Sequence, residues 1–112
     1  MVEEKNITKI SLIMEKCNRI LSKTANVTKE EFANNDDLIE IVCFNIFLIG
    51  ENVKQLSKAF TKNHNEIPWA EIAKMRDKIG HHYLTIDIDI VWNTINESIP
   101  KLNEYCHKIY SK

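Results

Sequence analysis

Glycine and proline are scarce in this chain, with two of each in 112 residues. An all-β domain needs such residues at its frequent turns, so their shortage excludes one. Arginine is scarce too: of 15 Lys plus Arg, only Arg19 and Arg76 are arginine. Lysine, asparagine and isoleucine are abundant, as an A/T-rich coding bias produces, and such a bias replaces arginine wherever lysine will serve. An arginine at 76 therefore hints that a planar fork is needed there. The net charge of −1 gives no global basic field, so contact with nucleic acid would rest on a local patch. Cysteine is limited to Cys17, Cys43 and Cys106, far apart and outside any metal-ligand spacing. Each lies among apolar residues at helical period and reads as a free buried thiol in a reducing compartment. The N-terminus lacks a basic stretch followed by an apolar core, so no secretory leader is expected and the location expected is cytoplasmic. No apolar run is long enough to span a bilayer, and no membrane association is expected.

What is present is helical periodicity. Ile7, Ile10, Met14, Cys17 and Leu21 follow steps of three and four, the stripe of a first helix of about twenty residues. Thr28-Lys29-Glu30-Glu31 reads as a capping box opening a short second helix that ends near Phe32. Asn34, Asn35, Asp36 and Asp37 supply cap residues for a third. From Leu38 to Ile49 only Glu40 and Asn45 are polar. A helix apolar all round is buried on more than one side, and in a chain this small the second side suits a partner subunit. Beyond Ile49 the stripe narrows to Val53, Leu56 and Phe60. Lys54, Lys58 and Lys62 recur at helical spacing on another face, either a basic stripe for a phosphate backbone or a solvated surface.

Pro68 suits the first turn of a fourth helix, with Ile72, Met75 and Ile79 as its core stripe. Asp87 or Asp89 can cap a fifth, with Val91, Ile95, Ile99, Leu102, Cys106 and Ile109 facing inward. Pro100 should kink or restart it. The expected architecture is a single all-α domain, residues 1–112, a bundle of four main helices plus a short one.

The chemistry concentrates in Arg76-Asp77-Lys78-Ile79-Gly80-His81-His82-Tyr83. Arginine holds phosphate oxygens in a fork, and histidine moves protons near neutral pH. Such a pair can cleave RNA without a metal, because RNA brings its own 2′-hydroxyl nucleophile. Arg76 and Tyr83 share a helix face, but Arg76 and His81 are splayed by about 140° on a regular helix. Either Gly80 ends the helix in a left-handed conformation and lets His81 swing back, or two subunits combine their groups. Asp77 lies four residues before His81, where it can orient the imidazole. The adjacent His82 points elsewhere and makes a poor metal pair with His81. His64 and His107 lie outside this stretch and are expected at the surface. Glu51 is either a support for the motif or a solvated helical glutamate.

These residues carry a resemblance. Arg76, His81 and Tyr83, with four residues and then one between them, resemble the signature of HEPN-domain toxins of the HepT type. Phe47-Leu48-Ile49-Gly50-Glu51-Asn52-Val53-Lys54-Gln55-Leu56-Ser57 resembles that family's central helix. Ile67-Pro68-Trp69-Ala70-Glu71-Ile72 and Ile86-Asp87-Ile88-Asp89-Ile90-Val91-Trp92 resemble the segments that enter and leave the motif helix. Two positions depart from the pattern: Gly80 is smaller than the usual residue, and Leu84-Thr85 stands where Phe-Gly is common. Neither removes a catalytic group. The resemblance implies an all-helical homodimer and a metal-independent endoribonuclease that needs no cofactor. It implies a toxin of a type VII toxin–antitoxin pair, whose antitoxin is a minimal nucleotidyltransferase that transfers AMP to the motif tyrosine. Carried over, Arg76 and His81 are the catalytic pair acting on RNA, Tyr83 is the AMP acceptor, and Asp77 holds the polar position after the arginine. The alternative is a non-catalytic helical dimer that docks a nucleotidyltransferase.

Overall fold

The computed structural model describes residues 2–81 and 87–111, the side chains of residues 2, 3 and 79–81 excepted. All regular structure among them is helical. In chain order the helices are α1 (Val2–Thr24), α2 (Lys29–Ala33), α3 (Asp36–Lys54), α4 (Lys58–Asn63), α5 (Trp69–His81) and α6 (Ile88–Asn93); a π-helical turn (Thr94–Ser98) follows, then α7 (Ile99–Tyr110). The packing order is α5 on α3, α3 on α1, and α1 on α7. No helix among the described residues is long and apolar enough to cross a membrane.

Local chemistry sets several boundaries. Thr28 accepts the Glu31 N–H while Glu31 accepts the Thr28 N–H, so the capping box forms as expected. Asn35 caps α3 through the Leu38 N–H, and Asp87 rather than Asp89 caps α6. The core of α1 is rotated from the expected stripe. Ile10, Ile13, Cys17 and Ile20 are fully buried, whereas Ile7, Met14 and Leu21 only flank them. Both stripes have helical spacing, and the approach of α3 and α7 selects between them. All three cysteines are buried and free, as expected.

Two further expectations need correction. The third helix does not run on to Phe60: it stops at Lys54, and Ser57 caps a separate α4 by accepting the Phe60 N–H. Asn6 of α1 holds that break, accepting the Ser57 N–H and donating to its hydroxyl, both at 3.0 Å. Two short helices, α2 and α4, therefore accompany the main ones instead of one. The lysine stripe is also broken, because Lys54 ends one helix while Lys58 and Lys62 sit on the next. Pro100 stands in the first turn of α7, where the α-helix resumes after a π turn, so the expected restart is seen. The rod from α6 to α7 stays helical and widens to a π turn just before the proline. There the Ile99 N–H reaches back to the Thr94 carbonyl, one residue farther than in an α-helix, which makes room for a ring that has no N–H.

On α3, Val42, Ile46, Ile49 and Val53 face the core, and Asn45 satisfies its buried amide on the Ile41 carbonyl. The opposite side carries Phe44, 61% exposed, with Ile41 and Leu48 partly exposed beside it. The two-sided apolar character of this helix thus divides into a packed face and an open one.

Candidate active site

The second half of α5 packs on α3, and at Gly50 the two helices approach closely. A Cβ added to Gly50 would sit 2.1 Å from Arg76 Cβ and 2.6 Å from its Cγ. No side chain fits there, so Gly50 is the seat on which the Arg76 stem rests. The guanidinium lies over the Phe47 ring, 4.4 Å from its centre, a cation–π contact worth about 1 kcal/mol. Glu51 Oε1 is 2.5 Å from Nε, but without hydrogen-bond geometry, so charge alone holds the pair. Nη1 donates to Asp77 Oδ1 at 3.1 Å, and the same oxygen accepts from Lys54 Nζ at 2.6 Å. The Lys54 hydrogen bond is the main cause holding the Asp77 carboxyl below the usual carboxylate range; Arg76 adds to it and lost hydration opposes it. Arg76 is left with 22% of its side chain exposed. Nη2 has no partner among the described residues.

The cradle is one face of α3. Phe47, Gly50, Glu51 and Lys54 recur at steps of three and four, the spacing that stacks side chains on one side of a helix. Glu51 is therefore brought to the motif and is not merely solvated. Asp77 is engaged by Lys54 and Arg76; its expected contact with His81 lies outside the described side chains. So do the His81 ring itself and, as whole residues, His82 and Tyr83. The backbone does answer one question. α5 continues through Gly80 to His81, and no described glycine has a positive φ. Gly80 therefore does not break the helix between Arg76 and His81, and their positions on α5 stay about 140° apart.

Sequence reasoning gave Phe47 no role of its own and read Lys54 only as part of a lysine stripe. Their signal was their register with Gly50 and Glu51, which gains meaning only once α5 is known to cross there. His64 also differs from expectation. It is half-buried, with its ring 4.4 Å from Phe60 and Nδ1 3.4 Å from the Tyr105 hydroxyl. His107 is exposed, as expected.

The model of a family described as Ribonuclease HepT-like matches residues 13–109, which include the whole α3–α5 crossing. The chain belongs to the HepT-like ribonuclease family. Among its relatives is "Putative RNase TTE0752" of Caldanaerobacter subterraneus subsp. tengcongensis, 34% identical over 100 residues, or 89% of each chain. "Putative RNase MJ1216" of Methanocaldococcus jannaschii is 36% identical over 97 residues, covering 87% of this chain and 80% of the relative. "Probable ribonuclease HepT" of Thermococcus cleftensis is 42% identical over 62 residues, covering 55% of this chain and 56% of the relative. No solved structure matches. In this HepT-like chain the matched residues include both helices that meet at Gly50.

Proposed function

We propose that this chain is a metal-independent endoribonuclease of a toxin–antitoxin pair, with Arg76 and His81 as its catalytic residues. The observation that carries the reading is the seating of Arg76: a charged side chain that is mostly buried and fixed on four sides, with no partner to Nη2 among the described residues. Such preorganisation suits a group that must meet developing charge without rearranging first. In the reaction the RNA 2′-oxygen attacks phosphorus as the bond to the 5′-oxygen breaks, leaving a 2′,3′-cyclic phosphate. His81 takes the proton of the 2′-hydroxyl or gives one to the leaving 5′-oxygen; its ordinary pKa near 6.5 permits either. Arg76 stabilises the charge on the pentacoordinate phosphorus. The regular course of α5 through Gly80 supports the reading in which a homodimer combines the arginine of one subunit with the histidine of the other. The exposed Phe44 with Ile41 and Leu48 offers the apolar face for that contact.

Control lies at Tyr83. A nucleotidyltransferase antitoxin joins the tyrosine oxygen to the α-phosphorus of ATP and releases pyrophosphate. The AMP so attached adds a phosphate and a nucleoside to the motif, in competition with RNA.

Cleavage of a defined RNA in the presence of EDTA, with analysis of the 3′ ends, tests the core of this reading. Wild type should yield cyclic phosphate ends and His81→Ala none. Equal cleavage by both would sink it. Intact mass after co-expression with the antitoxin should rise in AMP-sized steps that Tyr83→Phe abolishes.

A further inference from the structure

Two cations meet at one oxygen of this site. Asp77 Oδ1 accepts from Lys54 Nζ at 2.6 Å and from Arg76 Nη1 at 3.1 Å. A carboxylate with only a guanidinium beside it tends to take both its oxygens to the fork, in two parallel hydrogen bonds. That arrangement would close the Nη1–Nη2 edge, which a phosphate needs. Lys54 reaches across from α3 and draws the shared oxygen toward itself, so Asp77 touches Arg76 at one nitrogen.

We infer that Lys54 is a positioning residue: by holding Asp77 to a single contact, it keeps one edge of Arg76 available to an RNA phosphate. This rests on the ribonuclease reading and adds a residue to it. Lys54 acts through Asp77. Removing its charge leaves Asp77 to pair fully with Arg76 and leaves the cluster of Glu51, Lys54, Arg76 and Asp77 with a net charge of −1 instead of zero.

The consequence is epistasis that a simple RNA-binding lysine would not show. Lys54→Met should lower kcat about tenfold with KM little changed, the response to a misplaced reacting group. Lys54→Arg should restore the rate. Adding Asp77→Asn to Lys54→Met should also recover most of it, because the competing carboxylate is gone. Lys58→Met, on α4, serves as the charge-matched control and should behave as wild type.

A second readout is independent of catalysis. The chain has two arginines, so a 15N–1H spectrum of arginine Nε–H groups holds two signals. Lys54→Met should move the Arg76 signal and leave that of Arg19. A wild-type kcat with an unmoved Arg76 signal in Lys54→Met would overturn the inference. So would a loss confined to KM that Asp77→Asn fails to rescue. If Arg76→Ala cleaves as fast as wild type, the ribonuclease reading itself falls, and the Arg76 signal alone then decides whether Lys54 positions it.

Discussion

The seam between α1 and α7 and the seam between α3 and α5 are built on opposite principles. At the first, Ile10, Ile13, Cys17, Ile20, Ile99, Leu102 and Cys106 are all at most 2% exposed, and no charged side chain is buried there among the described residues. At the second, a glycine seats an arginine, and four charged side chains gather within a few ångströms. Apolar packing contributes most of the stability of a domain, whereas a partly exposed ion pair contributes little. The charged cluster is therefore not explained by stability. It makes sense as a device that fixes one guanidinium, with stability left to the other seam.

That contrast can be broken or sharpened. The largest effect on stability is expected at the apolar seam. Ile13→Ala removes a fully buried side chain and should destabilise the fold by about 3 kcal/mol. Denaturant titration measures this, and cleavage per folded molecule should not change. A fall in kcat of the folded fraction would erase the division between the seams. Gly50→Ala comes next. Alanine favours the helix by about 1 kcal/mol, but its Cβ would fall 2.1 Å from Arg76 Cβ. That atom is the root of its side chain, so the α3–α5 backbone must move, at a cost of about 2 kcal/mol. Net destabilisation together with lost cleavage is expected; a stabilised, active Gly50→Ala would refute the close crossing.

Smaller effects concern protons. Burial raises the thiols of Cys43 to about 11 and Cys106 to about 12, and raises Cys17 still further, with Cys106 close by contributing. These values lie above the ordinary 9.0. The thiols therefore favour the folded state fully below pH 9, and that contribution is lost as pH rises from about 9 toward about 12. Timed alkylation at pH 8 with mass analysis should label Cys43 before Cys106 and Cys17, all far more slowly than in denaturant. The smallest change is expected in the pH profile. Asp77 is held below its ordinary 3.8, so it stays ionised above about pH 4 and its pairing is lost only as pH falls below that. Between pH 5 and 8 the profile should report His81, and Asp77→Asn should leave the position of its inflection unchanged. A displaced inflection would make Asp77 a direct partner of the titrating group.

The parts legible from sequence were those decided by neighbours in the chain. The Thr28 box, the Asn35 cap and the Asp87 cap each depend on residues within one turn. The Ser57 break was not legible, because its clamp, Asn6, is 51 residues away. The choice between Ile13 and Met14 as a core position needed to know where α7 lies. Arg76 stood out by rarity, and Glu51 by its place in the central helix. Their partners Phe47 and Lys54 did not, since only the crossing of α3 by α5 gives them an arginine to hold. The uniform apolar run of α3 was read as buried on more than one side; within the chain one face is packed and one is open, and which side the core leaves open is a matter of packing.

The most direct test compares Arg76→Ala with wild type in two assays on the same preparation, a melting curve and cleavage of a defined RNA in EDTA. On the proposed reading the variant should melt cooperatively with a loss of no more than about 1 kcal/mol, while cleavage falls at least about 100-fold. Undiminished cleavage, or an unfolded variant, would contradict the account.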